Sequence, residues 1–285
     1  MTKKLFSLIF IFSALCGPAF CDDVISDFTR KKVEDFVDYR VSLKSEDETF
    51  AYETIQKIYK DAMAALPDHA KDLEQETCIL DSLYFTECYE HALNSTGNQK
   101  ELRDEIKRIM KANFACIEAR KKDEVCDWMY QLAGDVTSYY MTRSVAATFF
   151  YGMKVKGFYE KAIEANNKRS SAYVCLGNWC FYAPALFGGG KGKSKKHFEK
   201  ALECAELPGE KYLAYIAYSQ INFENKKKAV AEEYLEKGVL LGLGRKELDL
   251  ISKCNEKGYS YFQYLRNRSG IDEEMSEEEK DEDDK

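Results

Sequence analysis

The amino-acid sequence predicts an all-α protein of antiparallel helical hairpins, stacked into a superhelix or helical-repeat bundle. Proline is the first indication: beyond residue 21 it occurs only as Pro67, Pro184 and Pro208, so long stretches lack the residue that breaks helices. Periodicity is the second, because charged and apolar residues alternate in steps of three and four. The third is a set of packing residues at recurring spacing: Tyr159 and Ala162, then Tyr173, Leu176 and Gly177, then Phe198 and Ala201. A large residue and a glycine on one helix, facing an alanine and an aromatic on the next, close the core of a helical-hairpin repeat. Such repeats usually present binding surfaces rather than catalytic centres.

Residues 1–21 read as a secretory signal peptide. Lys3 and Lys4 precede the apolar run 5–15, and small residues follow before charge resumes at Asp22. The run is too short for a membrane span, which needs about 20 residues. Cleavage is expected after Ala19 or after Cys21. A first helix is expected over 24–43, and a second from a capping box formed by Ser45 and Glu48. Its apolar stripe, Phe50, Ile55, Ile58, Tyr59 and Met63, ends at Pro67. Further helices are expected over 69–93, 99–119, 124–151, 154–165, 172–182, 193–205, 210–224, 227–241 and 246–266. The polar breaks between them are short, which favours antiparallel neighbours.

The chain divides into the signal, an N-terminal helical region (22–134) without clear repeat signatures, helical repeats (135–271) and an acidic tail (272–285). About 250 residues precede the tail, enough for one extended superhelix or two helical lobes. The tail holds ten carboxylates against Lys280 and Lys285, a net −8 compared with −7 for the whole chain. It is expected to be a disordered, solvated extension. The remainder is close to neutral, so no electrostatic footprint for nucleic acid exists. No segment beyond the signal is apolar enough to predict a transmembrane span.

In the residues quoted above the chain resembles the tetratricopeptide superfamily, with three units from about 135 to 241. The middle unit carries Tyr173, Leu176, Gly177, Phe198 and Ala201, and the next has Ala231, Leu235 and Gly238 at matching second-helix spacing. The middle unit departs from the pattern in about five extra residues between its helices, around 183–190. There a helix ending in aromatic-Ala-Pro, a glycine turn and a basic helix with Phe-Glu-Lys-Ala-Leu resemble exported bacterial tetratricopeptide proteins. Among these is the T component of tripartite ATP-independent periplasmic transporters. That resemblance implies a lipid-anchored, oligomeric, periplasmic protein that docks a transporter substrate-binding protein. The lipid signal departs from the family pattern, since Cys16 follows Leu15 and Cys21 follows Phe20. By repeat register, Asn178, Phe181 and Tyr182, with Gln220 and Phe223 in the next unit, are the candidate groove residues. The carboxylate clamp of chaperone-binding tetratricopeptide domains is not matched, because Val174, Leu213 and Ala217 occupy its polar positions.

No catalytic residue, metal site or cofactor is assigned. The glycine-rich run at Gly188, Gly189, Gly190 and Gly192 lacks the phosphate-loop spacing, Phe187 standing where a glycine is required. His69, His91 and His197 form no metal-ligand spacing, and no cysteine pair lies close enough in sequence to share one ion. Beyond the signal lie eight cysteines, an even number that permits disulfides in an exported chain. Cys175 and Cys180 point apart on one helix, and Cys78 and Cys88 sit about 15 Å apart along another. Cys116 and Cys126 flank a polar break and are the expected disulfide. The sequence thus predicts an exported protein-binding scaffold, oligomeric or not, with a carrier of a small apolar ligand as the alternative and an enzyme third.

Overall fold

Helix α1, Asp27–Leu43, starts at Ser26, whose hydroxyl accepts from the Thr29 N–H. The computed structural model describes residues 24–94, 99–142 and 145–283, and the expected signal peptide lies outside them. Among the described residues there are thirteen α-helices and no strand. After α1 come α2 Glu48–Ala65, α3 Leu73–Asn94, α4 Gln99–Glu118, α5 Asp127–Met141, α6 Val145–Ala165 and α7 Ser170–Tyr182. The C-terminal part holds α8 Lys191–Cys204, α9 Pro208–Glu224, α10 Lys228–Leu240, α11 Arg245–Glu256, α12 Tyr261–Arg266 and α13 Arg268–Asp283. From α2 to α10 each helix packs against the next, α3 with α5 and α7 with α9 also lie side by side, and α1 packs on α9 and α3 rather than on α2. No described helix is long and apolar enough to cross a membrane.

Glycines set how closely the hairpins approach. A Cβ on Gly177 would sit 2.3 Å from Phe198 Cε1, so only glycine lets α7 lie against the fully buried Phe198 ring of α8. Ala201 is buried in the same cluster as Phe198, with Tyr173 half-buried against it; Leu176 is buried with Tyr159, and Ala162 in the neighbouring core. The α5–α6 hairpin repeats the device: a Cβ on Gly134 would lie 2.5 Å from Tyr159 Cε1. Between α7 and α8 the chain turns through Gly188 and Gly190, both at positive φ. Gly189 does not share that conformation; its Cβ would fall 1.9 Å from the Ala183 carbonyl oxygen, so close approach is what demands glycine there.

Several expected boundaries are corrected. The expected helices 124–151 and 154–165 are α5 and α6, whose described residues stop at Thr142 and resume at Val145. The expected helix 246–266 breaks at Gly258, φ +91°, and restarts at Ser260, which caps α12. The N-cap of α2 is Asp47, accepting from Thr49 and Phe50, whereas Ser45 Oγ accepts from the Arg245 N–H. Residues 134 and 135 both lie inside α5, so the expected regional boundary is not a break in the chain. Ile271 and Met275 are buried four residues apart on α13, and they carry the helix past 272 into the acidic segment expected to be disordered.

α1 is the element that ties α3 to α9 and α11. At its start, the buried carboxylate of Glu76 on α3 accepts from the Ser26 N–H at 3.0 Å and from the hydroxyls of Ser26 and Thr29. The N–H groups of Lys71 and Asp72 complete its shell. At its end, Asp38 Oδ1 accepts from the Gly209 N–H at 2.6 Å, Val41 packs with Tyr212 and Ile216, and Lys44 pairs with Glu247 of α11. A Cβ on Gly209 would lie 2.4 Å from the Val37 carbonyl oxygen. Gly209→Ala is therefore expected to push α1 off α9 and to cost about 1–3 kcal/mol. Urea unfolding checks the loss, and faster hydrogen exchange in α1 and α9 locates it.

Candidate functional site

The expected groove residues form a joint within the chain. Phe262, from the first turn of α12, is buried against Phe181 at a ring-centroid distance of 4.4 Å and also meets Tyr182 and Phe198. The Tyr182 hydroxyl donates to the Phe262 carbonyl at 3.1 Å. Gln220, fully buried, accepts from the Tyr261 N–H at 2.7 Å and so holds the start of α12. Phe223 is half-buried, and Asn178 has a buried Oδ1 without a hydrogen-bond partner. Phe181, Tyr182 and Gln220 are thus brought together, but by α12 rather than around an open groove. The register reading treated 246–266 as one helix and gave α12 no position from which to cover them.

A polar seam runs beside this joint, where α1 faces α3, α5, α7 and α11. Arg40 Nη2 lies 2.8 Å from Glu87 Oε2, close enough for an ion pair but off the axis of a hydrogen bond, since that oxygen has no hydrogen-bonding partner. Tyr139 donates to Glu90 at 2.6 Å, and His91 Nδ1 meets Glu48 Oε2 at 2.6 Å. On α5, Asp135 Oδ1 accepts from Tyr159 at 2.9 Å and from the Cys175 thiol at 3.4 Å. Burial raises the Asp135 carboxyl above its ordinary range, against the Arg40 charge and these hydrogen bonds. Burial, and then Asp135, push the Cys175 thiol well up, so it stays protonated and is not an activated nucleophile. Among the described residues no group of three or more His, Cys, Asp and Glu is placed to hold a metal ion.

The seam ends in a buried charge. Glu247 accepts from Lys44 at 2.6 Å, Tyr261 at 2.8 Å and Tyr212 at 2.7 Å. Burial alone would raise its carboxyl; the Lys44 ammonium and these hydrogen bonds outweigh that and hold it below the usual glutamate range.

The described cysteines are free thiols. Cys126 is the N-cap of α5: its sulfur accepts from the Met129 N–H and its own N–H is held by Gln75 of α3. Cys116 is fully buried, and its sulfur accepts from Arg120 Nη1 at 3.0 Å. The expected Cys116–Cys126 bridge is not formed in this structure: both are free, and the 120–126 connection directs the Cys126 side chain into its own helix start.

One surface is open and apolar. Phe149, Phe150 and Met153 of α6 are 76%, 75% and 51% exposed, and Leu186, in the turn after α7, is 90% exposed. Trp179 Nε1 donates to the Gly152 carbonyl at 2.9 Å, joining the start of α6 to the end of α7 at this edge. Tyr182 and Phe187, at the end of α7 and in the turn after it, are 45% and 44% exposed. The sequence reading missed the α6 part, although a helical wheel carries the signal. Positions 147, 155, 158, 159 and 162 face the core, and 149, 150 and 153 fall off that stripe.

No family model and no curated protein matches this chain.

Two substitutions test these assignments. Tyr182→Ala is expected to lower stability by about 1–2 kcal/mol through the lost ring contacts and hydrogen bond to Phe262, read as a lower midpoint in chemical unfolding. Glu247→Gln is expected to cost about 3 kcal/mol, the low end for a buried pair because 26% of the Lys44 side chain remains exposed. Its pH dependence has a definite sign. A carboxyl held below its unfolded value contributes fully above the ordinary glutamate range, and the contribution is lost as pH falls through the lowered value. Unfolding measured from pH 7 down to pH 3 should show the gap between wild type and Glu247→Gln narrowing.

Proposed function

We propose that this chain is an exported, non-catalytic scaffold of the tetratricopeptide type that docks another protein along the edge formed by Phe149, Phe150, Met153, Leu186 and Phe187. That exposed apolar edge is the observation that carries the reading. Large aromatic side chains left in water lower the solubility of a free chain, and their burial against a partner recovers the hydrophobic contribution lost by exposing them. Phenylalanine and methionine are also enriched at protein interfaces. Support for a periplasmic role comes from the signal at 1–21, and the resemblance around 178–201 suggests a transporter substrate-binding protein as partner and an accessory role in transport. Lipid anchoring and oligomerisation belong to the same resemblance and stand or fall with it.

The apolar-ligand alternative has less support. It calls for aromatic side chains free between helices, and the groove aromatics Phe181 and Tyr182 pack against Phe262 instead. The protonated Cys175 and the polar seam give no support to an enzymatic reading. Affinity capture from an envelope fraction with mild cross-linking tests the proposal. Full-length protein should recover a reproducible partner, and Phe149→Ser combined with Phe150→Ser should weaken that recovery about tenfold or more while the unfolding midpoint stays within experimental scatter. Equal recovery by both forms removes the edge as the docking surface; no partner for either removes the scaffold reading.

A further inference from the structure

On α6 the exposed apolar residues fall in register. Ala146, Phe149, Phe150 and Met153 are exposed and Gly157 is half-buried; at 3.6 residues per turn they share one stripe about 100° wide and about three turns long. Phe149 and Phe150 meet edge-on at a ring-centroid distance of 5.9 Å. Lys154 borders the stripe on one side and Lys156 on the other, and residues 145–159 hold no carboxylate. Each lysine leans on an exposed acid: Lys154 stands 3.7 Å from Glu118, and Lys156 pairs with Glu160 at 2.7 Å. Surface pairs of this kind contribute little, so both cations stay available to a better-placed carboxylate.

Gly157 is the informative position. Glycine weakens a helix interior, and at two other places in this chain a ring packed against it accounts for its presence. A Cβ on Gly134 would lie 2.5 Å from Tyr159 Cε1, and one on Gly177 would lie 2.3 Å from Phe198 Cε1. A Cβ on Gly157 would meet nothing within 4 Å. No neighbour among the described residues therefore calls for glycine there, at the end of an apolar stripe. Gly152 is equally open, but it falls off the stripe, and its carbonyl accepts from Trp179 Nε1.

We infer that this stripe seats an amphipathic α-helix of the partner, which sets a large apolar side chain over Gly157 and presents carboxylates to Lys154 and Lys156. The inference rests on the docking edge proposed above and names what occupies it. Helix axes pack about 8–10 Å apart according to the side chains at the crossing, and a glycine there permits the closer approach. The incoming helix would thus repeat against α6 the glycine-to-ring contact by which α5 meets α6 and α7 meets α8. Phe149, Phe150 and Met153 then pack into its apolar face over the two turns before Gly157. Cations on both flanks of the seam favour an acidic helix and repel a basic one, so charge selects among helices that share the same apolar pattern.

The test uses the full chain and two labelled synthetic helical peptides that share one leucine and phenylalanine seam, flanked by glutamate in the first and by lysine in the second. Binding is read by fluorescence anisotropy. The glutamate peptide is expected to bind about tenfold or more tightly than the lysine peptide at low salt, and the difference should shrink as salt is raised. Gly157→Leu should weaken the glutamate peptide about tenfold without lowering the unfolding midpoint, because its side chain enters open space. Lys154→Glu combined with Lys156→Glu should reverse the preference between the peptides. Binding by Gly157→Leu as tight as wild type, or tighter, overturns the inference, since added apolar surface strengthens a patch that has no glycine seat. Equal affinity for the two peptides, or no binding of either, overturns it as well. The docking edge itself is judged separately: envelope capture lost in Phe149→Ser with Phe150→Ser but unchanged in Gly157→Leu keeps the edge and removes the helix as its occupant.

Discussion

The attachment of α1 to both the N-terminal helices and the C-terminal ones is the constraint on which the rest of the structure depends. A stack of hairpins is held only by neighbouring contacts, and one face of each outer hairpin has no neighbour. Here α1 lies across helices that already have hairpin neighbours, packing on α3 and α9. Its first turn satisfies the buried Glu76 carboxylate on α3, and its last turn meets α9 and α11 through Asp38, Val41 and Lys44. Burying a glutamate unpaired would be costly; Glu76 and Glu247 are tolerated because each is surrounded by donors that α1 helps to provide. Without α1 both carboxylates would lose partners together.

This arrangement divides the polar and apolar roles in an unusual way. The side of the helices facing α1 is the polar side, with Arg40, Glu87, Asp135, Tyr139 and Tyr159 in mutual contact or within electrostatic reach. The apolar surface available to a partner lies instead at the edge, where α6 begins and α7 ends. Phe262 explains part of this division: by covering Phe181 it removes the aromatic ring best placed to line an inner groove.

The helical class and the middle hairpin were legible in the sequence because their signals are local. Gly177 and Phe198 lie on adjacent helices at a spacing that the repeat pattern anticipates, and the structure places them in contact. The preceding hairpin uses the same glycine-to-ring contact, but Gly134 and Tyr159 are 25 residues apart where Gly177 and Phe198 are 21 apart, so a fixed register passes over it. The cover over the groove candidates was not legible, for a different reason. Gln220 and Tyr182 were placed on their helices correctly, yet what covers them comes from residues 261–262, and no local pattern announces a contact across 41 or 80 residues. Ser45 shows the same limit: as a capping residue it was plausible for α2, whereas its hydroxyl serves the start of α11, 200 residues away.

The strut formed by α1 also bears on how the chain reaches its final state. Repeat arrays ordinarily have low contact order, so segments can become ordered as soon as their neighbours exist. The bonds from Asp38 to Gly209 and from Lys44 to Glu247 span 171 and 203 residues, and closing them carries a loop entropy that nearest-neighbour stacking never meets. Hairpins can therefore assemble early and reversibly, while the buried carboxylates receive their full complement of donors only once α11 is in place. A protein built from stacked hairpins in this way acquires long-range closures, at the junctions of its first helix with its ninth and eleventh, that nearest-neighbour stacking does not contain.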